Sequence, residues 1–352
     1  TSLISIETCA FRECDLSESE LNIPTLQNLS EEAFYDTNLQ GAVNLPSLKT
    51  IGGDGYNQLF GKSKITEVVN LGKITILPDG FNSNYGVFNG CSELLRVSLP
   101  STLEIIGKFT FSNDTALENV DLPDSLKEIR EKAFYKCTSL EIEDLQLPNL
   151  ESLGQNAFYG VKIKKISNLG KITALPTAST STQNFGDKSV LEEVVLPIGI
   201  TNIGAYAFMN YTLLTGDFNL LSVTTIGGNA FQNTAITSIM LPLVNTISWN
   251  AFTDCKKLKF VKIGDSIGKI DAAAFQNCIS LENVIIENAT PPTLSGTSFT
   301  NTNNCLIYVP DESVEAYKTA TNWSSYASRI KGISELPIDN PTLYDEIKDY
   351  LG

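Results

Sequence analysis

The sequence predicts a β-rich α/β solenoid, a right-handed stack of about thirteen coils of 23–24 residues with a short helical cap at its C-terminal end. Three observations predict this class. One apolar sequence motif recurs along the chain, and a phenylalanine recurs with it at nearly constant spacing. The residues after 305 no longer follow this repeat. A unit of this length cannot bury its own apolar side, whereas stacked units can.

The phenylalanine spacing defines the repeat. Thirteen of the 17 phenylalanines fall on one series, whose twelve intervals from Phe11 to Phe299 average 24 residues. We expect their rings to form an interior spine, with an alanine beside most of them where the backbone is crowded. The predicted spine comprises Phe11, Phe34, Phe88, Phe111, Phe134, Phe158, Phe208, Phe231, Phe252 and Phe275, with further copies at Phe60, Phe185 and Phe299.

The recurring motif predicts two short strands in each coil. Its consensus is L-x-x-V-x-L-P-x-x-L-x-x-I-G-x-x-A-F-x-x-C-x-x-L, as in residues 117–137. The alternation in V-x-L indicates a strand with one inward face, and proline ends it because proline has no N–H to donate. The segment ending in I-G is a second extended stretch, and its glycine is expected to allow a turn with positive φ.

Five of the seven cysteines lie three residues after a spine phenylalanine: Cys14, Cys91, Cys137, Cys255 and Cys278. Other repeats hold Thr, Ser or Val there, which is the substitution pattern of a small buried residue. We therefore predict buried free thiols. A disulfide between Cys255 and Cys278, at the same position of consecutive coils, stays open as an alternative.

Composition excludes several functions. Asp and Glu number 40 against 25 Lys and Arg, giving a net charge of −15, which argues against binding nucleic acid. The chain has no histidine, so neither a Ser-His-Asp triad nor a histidine metal site can form. The longest apolar runs are too short to span a bilayer. We expect no catalytic residue, metal or cofactor.

The consensus resembles the BspA-like leucine-rich repeats of bacterial surface proteins, which belong to the α/β leucine-rich-repeat class. The resemblance covers about residues 1–305, and residues 307–330, with Tyr317 and Trp323, resemble that family's C-terminal cap. It implies export, a cell-surface or secreted setting, and binding to host proteins such as fibronectin or fibrinogen in some members. It supplies no catalytic residue. The chain starts at Thr1 without a leader, so we expect any export signal or lipid anchor to have been removed.

The predicted organisation has three parts: a solenoid over residues 1–305, a capping strand and helix over 306–334, and a tail over 335–352. The polar insert at 176–190 is expected to be an exposed loop. The tail is expected to form a short helix after Asn340 and Pro341, and the alternative is a partly ordered terminus.

A protein-binding adhesion module is the leading functional prediction. The outward central position of the first strand is polar in early coils but holds Val195, Met240, Lys262 and Ile285 later, with Phe260 nearby. We interpret these residues as a contact stripe for a host or neighbouring-cell protein. The alternative is that β-branched residues simply suit a strand.

Two other functions stay open. One is glycan binding, with Tyr206, Tyr211 and Trp249 as candidate aromatic platforms if they cluster outward. The other is a structural spacer with no ligand of its own.

Overall fold

The chain folds into a parallel β-solenoid of about 14 turns. The computed structural model describes residues 2–17, 20–53, 57–82, 85–215, 218 and 220–337. The first half of these residues contains β1 (Ser5–Ile6), β2 (Leu21–Asn22), β3 (Asn28–Leu29), β4 (Gln40–Asn44), β5 (Thr50–Ile51), β6 (Lys64–Asn70), β7 (Ile76–Leu77), β8 (Arg96–Ser98), β9 (Ile105–Ile106), β10 (Asn119–Asp121), β11 (Glu128–Ile129), β12 (Glu141–Gln146) and β13 (Ser152–Leu153).

The second half contains β14 (Lys162–Asn168), β15 (Ala174–Leu175), β16 (Glu193–Val194), β17 (Asn202–Ile203), β18 (Thr225–Ile226), β19 (Ser238–Leu241), β20 (Thr246–Ile247), β21 (Phe260–Ile263), β22 (Lys269–Ile270), β23 (Asn283–Ile286), β24 (Thr293–Leu294), β25 (Leu306–Val309) and β26 (Ile330–Gly332). Helix α1 spans Val314–Thr319, and 3₁₀ turns span Asp311–Ser313, Trp323–Arg329 and Ile333–Glu335.

Strands form two sides of the coil, and within each sheet they pair in parallel from one coil to the next. The first face consists of the sheets β10-β8-β6-β4-β2, β12-β14-β16 and β19-β21-β23-β25-β26. The second face consists of β1-β3-β5, β13-β11-β9-β7 and β15-β17-β18-β20-β22-β24. This arrangement confirms the two predicted extended segments per coil.

The third side, here called the turn side, holds the phenylalanines. Consecutive rings stack with centroids 5.1–5.6 Å apart from Phe11 to Phe158, and 5.4–6.0 Å apart from Phe185 to Phe299. Between the two runs, Phe158 and Phe185 form an isolated parallel β-bridge. All of these rings are buried except Phe11, which is half-buried in the first described coil.

Backbone geometry on the turn side repeats with the rings. Lys132 and Lys136 flank Phe134 two residues to either side and have φ of 54° and 63°. Several other coils place Asn or Asp at these positions, and both tolerate left-handed backbone better than most residues. The turns are joined by hydrogen bonds such as that from the Phe111 N–H to the Ala133 carbonyl, 2.8 Å. The turn side is therefore a backbone ladder as well as an aromatic stack.

The glycine of I-G has a different role from the predicted one. Gly52 has a positive φ, but Gly154 does not. A Cβ on Gly154 would lie 2.2 Å from the Glu131 nitrogen of the preceding coil. At Gly154 the glycine is needed because two backbones approach closely, and no left-handed turn forms there.

The buried cysteines follow the repeat. Cys91, Cys137, Cys255 and Cys278 are buried, and burial raises the pKa of each thiol. All seven cysteines are free, and the Cys255 thiol donates to the Phe231 carbonyl, 3.1 Å away. Cys14 is the exception and corrects our prediction. It is exposed, because in the first described coil no earlier coil covers its thiol.

The C-terminal elements cover the last coils. Trp323 lies 6.2 Å from Phe299 and donates its indole N–H to the Pro292 carbonyl, 2.8 Å. The Tyr317 hydroxyl donates to the Asn288 carbonyl, 2.7 Å. These contacts seal the open end of the apolar stack, which repeat arrays require. The tail helix expected after Asn340 lies outside the described residues.

Candidate functional site

The chain itself covers part of the predicted contact stripe. Phe260 is 1% exposed, and it forms an outer apolar cluster with Ile285, Tyr308 and Leu336. Met240 and Ile333 pack against this cluster. The expectation that Phe260 and Ile285 are available to a partner is therefore corrected, because the turn Ile333–Glu335 and Leu336 lie over the first face there.

The other stripe residues remain partly accessible. Val195 is exposed just beyond β16. Lys262 is half-buried and its ammonium pairs with Glu287 at 2.9 Å. Val195 and Lys262 both lie at or beside the corner at which the coil passes from the first face to the second. Of the predicted set, Val195, Met240 and Lys262 therefore lie near an accessible surface.

That corner carries exposed apolar side chains in three consecutive coils. Ile198 and Leu221 lie four residues before the paired strands β17 and β18, and Leu243 lies three before β20. Ile198 is 80% exposed, and Leu221 and Leu243 are also exposed. In other coils the position four residues before the strand holds Pro, Gly, Ala or a polar residue, among them Ser101 and Asp265. We call Val195, Ile198, Leu221, Met240 and Leu243 the apolar corner.

Local sequence explains why these side chains face outward. Leu196 and Ile200 are buried on either side of Ile198, so the residues between them must lie outside the coil. Consecutive strands lie about 4.8 Å apart. The three side chains therefore follow one another along the corner and form a single apolar strip.

A small pocket adjoins the strip. Its volume is about 140 Å³, and Leu221, Met240, Pro242, Lys262 and Glu287 contribute to its lining. The Lys262–Glu287 ion pair supplies a polar wall beside apolar ones. A pocket of this size accommodates one side chain of a partner rather than a small-molecule ligand.

Sequence reasoning missed the apolar corner because it compared the repeats at the strand. Lining the repeats up at the corner instead, four residues before the second strand, reveals Ile198 and Leu221 as neighbours in consecutive coils. That signal was present in the sequence.

The predicted aromatic platform is only partly outward. Tyr211 is fully buried and donates its hydroxyl to the Phe185 carbonyl at 2.6 Å, so it cannot contact a glycan. Tyr206 and Trp249 meet edge to face with centroids 6.0 Å apart, and Trp249 is exposed. The Trp249 ring lies where a side chain on Gly228 would be, so the pair spans three coils.

The central part of the first face is a solvated charge ladder. Lys162 pairs with Glu141 at 2.6 Å, and Lys165 pairs with Glu193 at 3.0 Å. Exposed pairs of this kind contribute little to stability. Among the described residues there is no group of three metal-ligating side chains, and no helix there is long and apolar enough to cross a membrane.

Comparison with known proteins gives the family. The sequence matches the family described as "BspA type Leucine rich repeat region (6 copies)" over residues 1–84, 58–184 and 178–307. No curated protein matches the chain.

One solved structure shares the fold, and two others are more distantly similar. A leucine-rich repeat protein from Bacteroides ovatus is 26% identical with a TM-score of 0.51, covering 80% of this chain and 70% of its own. A leucine rich cell surface protein from Faecalibacterium prausnitzii is 18% identical with a TM-score of 0.43, covering 94% and 87%. The pneumococcal vaccine antigen PcpA is 17% identical, also at 0.43, covering 94% and 83%. On the family match over most of its length, the chain belongs to the BspA-type leucine-rich repeat family.

Proposed function

We propose that this chain is a non-enzymatic protein-binding module that acts outside the cell or at its surface, and that the apolar corner is its contact surface. The observation that carries the proposal is the exposure of Ile198, Leu221 and Leu243 in consecutive coils. Exposed apolar strips of this kind are uncommon on soluble proteins and mark interaction sites.

The corner has the parts of a small protein interface. The apolar strip excludes water, and the adjoining pocket can accept one anchoring side chain. The partner we propose is a host or neighbouring-cell protein of the matrix type. Because the chain carries a net charge of −15, we expect the partner surface around the contact to be basic.

Glycan binding is the second candidate function. The Tyr206–Trp249 pair supports it, since exposed aromatic rings can stack on sugar rings. Its salt dependence differs from that of the leading proposal. Binding of a basic protein weakens as salt screens the charges, whereas stacking on sugars changes little.

A binding screen tests the leading proposal. The full chain is presented to fibronectin, fibrinogen, mucin and a neutral glycan array, at near-physiological and at high salt. Saturable binding to a protein that fades with salt supports the apolar corner as a contact. Binding only to neutral glycans, lost in Trp249→Ala, favours the second candidate. If no member of the panel binds, the proposal is overturned in favour of a structural spacer with no ligand of its own.

A further inference from the structure

A second, polar pocket opens where the turn side is interrupted. Its volume is about 600 Å³, within the range of small-molecule sites. Its lining comes from three consecutive coils and includes Lys136, Tyr159, Lys162, Gln183, Asp187 and Lys188. It lies away from the apolar corner and shares no lining residue with the pocket there.

The insert creates this pocket. The interval from Phe158 to Phe185 is 27 residues, and the two phenylalanines share only a β-bridge. The regular turn ladder runs from the Lys136 N–H to the Tyr159 carbonyl, 2.6 Å. In the next coil the Phe158 N–H still donates to the Asn184 carbonyl, 3.1 Å, but beyond it the Gly186 N–H donates back to the Phe158 carbonyl, 2.9 Å. The turn therefore leaves the stack and a cleft remains.

The insert is held in place around the cleft and is not the open loop that its composition predicts. Thr180 and Ser181 are exposed, but Asn184 is fully buried. The Asn184 amide donates to the Pro176 carbonyl at 2.6 Å and accepts from the Asn156 N–H at 3.1 Å. These bonds fix the wall that carries Gln183 and Lys188.

Gln183 is the first sign of a ligand. It is 7% exposed and lines the pocket, and its amide makes no hydrogen bond to another described residue. The amide faces the solvent of the pocket and not a sealed interior, so a ligand can replace the water that hydrates it. The amide offers both donors and an acceptor, so it suits a hydroxyl group.

The charge of the pocket is the second sign. Three lysines line it, in a chain with a net charge of −15. Lys188 has no anionic partner among the described residues, and partial burial lowers its pKa. Lys136 lies over the Tyr135 ring, and Lys162 pairs with Glu141. Asp187 is held ionised by its hydrogen bonds to Ser189, which lower its pKa. Lys136 and Lys188 therefore remain available to bind an incoming anion.

Tyr159 is the third sign. Its ring stacks on Tyr135 with centroids 4.8 Å apart, and this packing fixes an aromatic surface in the pocket lining. Asp187 among the lysines disfavours a compact, highly charged anion such as phosphate. An aromatic ring, an amide, the Thr138 hydroxyl and separated cations suit a ligand that is part hydroxylated ring and part anion.

We propose that this pocket binds an acidic sugar residue, with its carboxylate or sulfate on Lys188 and Lys136, its hydroxyls on Gln183 and its ring on Tyr159. The site is separate from the protein contact proposed above, and neither depends on the other. A glycan-bearing partner could occupy both.

Calorimetric titration of the full chain tests the site with four probes. They are a hyaluronan oligosaccharide, which carries only carboxylates, a sulfated dextran oligosaccharide, neutral dextran of the same length, and an oligoglutamate peptide. Saturable binding of either acidic sugar supports the proposal and identifies its anion. Equal binding of neutral dextran, equal or tighter binding of the peptide, or no binding of any probe overturns it.

Variants localise the binding. Lys188→Gln should weaken binding of the acidic sugar by about tenfold or more, which is the effect of losing one charge-assisted hydrogen bond. Gln183→Glu should abolish this binding. Lys188→Arg should retain binding, which separates charge from folding. Lys164→Gln, outside the pocket and paired with Glu143, is the matched control and should have no effect. Unchanged affinity in Lys188→Gln, or equal loss in Lys164→Gln, overturns the assignment.

Discussion

The thiol of Cys137 donates a hydrogen bond to the backbone carbonyl of Phe111 in the preceding coil, over 3.1 Å. The same bond joins Cys91 to Phe60 and Cys278 to Phe252. These turns therefore use a small buried donor to satisfy the backbone carbonyl of the phenylalanine in the preceding coil. This is why Cys is frequent at that position without being reactive.

Thiol labelling tests this role. In the folded chain we expect Ellman's reagent to modify only Cys9 and Cys14, the two exposed cysteines, and all seven after unfolding in guanidinium. Burial shields the other thiols from the reagent. It also raises their pKa, so they stay protonated. The variant Cys14→Ser should lower the native count by one. Rapid labelling of Cys137 in the folded protein would contradict the account.

Asp114 occupies the same position as these cysteines and gives a pH prediction. It is fully buried, and burial raises its pKa well above the usual value for Asp. One carboxyl oxygen accepts from the Cys91 N–H at 2.9 Å, while the other has no partner among the described residues. The folded chain therefore favours the neutral acid, and the associated stability is lost as pH rises from the unfolded-state pKa through the folded one.

We expect Asp114→Asn to stabilise the chain at neutral pH by ~1–3 kcal/mol, the cost of a buried group left unsatisfied. It should also flatten the fall in stability between acidic and neutral pH, as measured by urea unfolding. Asp121→Asn removes the same charge from an exposed strand position and serves as the control. A steeper pH dependence in Asp114→Asn than in the parent chain would show the carboxyl to be ionised in the fold.

The ring of Phe134 stacks between Phe111 and Phe158 at 5.1 and 5.3 Å, and its removal leaves a cavity in the spine. Phe134→Ala should cost about 3–5 kcal/mol of unfolding free energy, and Phe134→Leu less. Because each coil contacts mainly its neighbours, hydrogen exchange should accelerate first in the adjacent coils. Uniform acceleration along the whole chain would mean that the solenoid unfolds as one unit.

Leu336 packs on Phe260 and Ile285 on the outside of the first face. Leu336→Ser should destabilise the C-terminal end by about 1–3 kcal/mol and speed hydrogen exchange in β26, because a buried apolar side chain is lost. Leu243→Ser, at an exposed leucine, should change stability by less than about 0.5 kcal/mol. Equal effects of the two variants would show that Leu336 is not docked.

Whether the sequence could predict a contact depends on whether both residues belong to the repeat or one of them lies far outside it. Phe134 and Cys137 were placed correctly, because their environment repeats every 24 residues on average and the repeat itself reports it. The burial of Phe260 could not be predicted, since Leu336, which covers it, lies far along the chain and outside the repeat. The pocket at Gln183 escaped prediction because an irregular insert has no equivalent in other coils to compare with.

The central claim is that the apolar corner is the contact surface, and a matched pair of double variants tests it most directly. Affinity for the protein selected in the screen is measured for Ile198→Ser/Leu243→Ser and for Leu95→Ser/Ile279→Ser, which removes two exposed apolar residues elsewhere. The account predicts at least about a tenfold weaker Kd for the corner variant, with the control unchanged. Equal affinity in both variants, with folding intact, would contradict it.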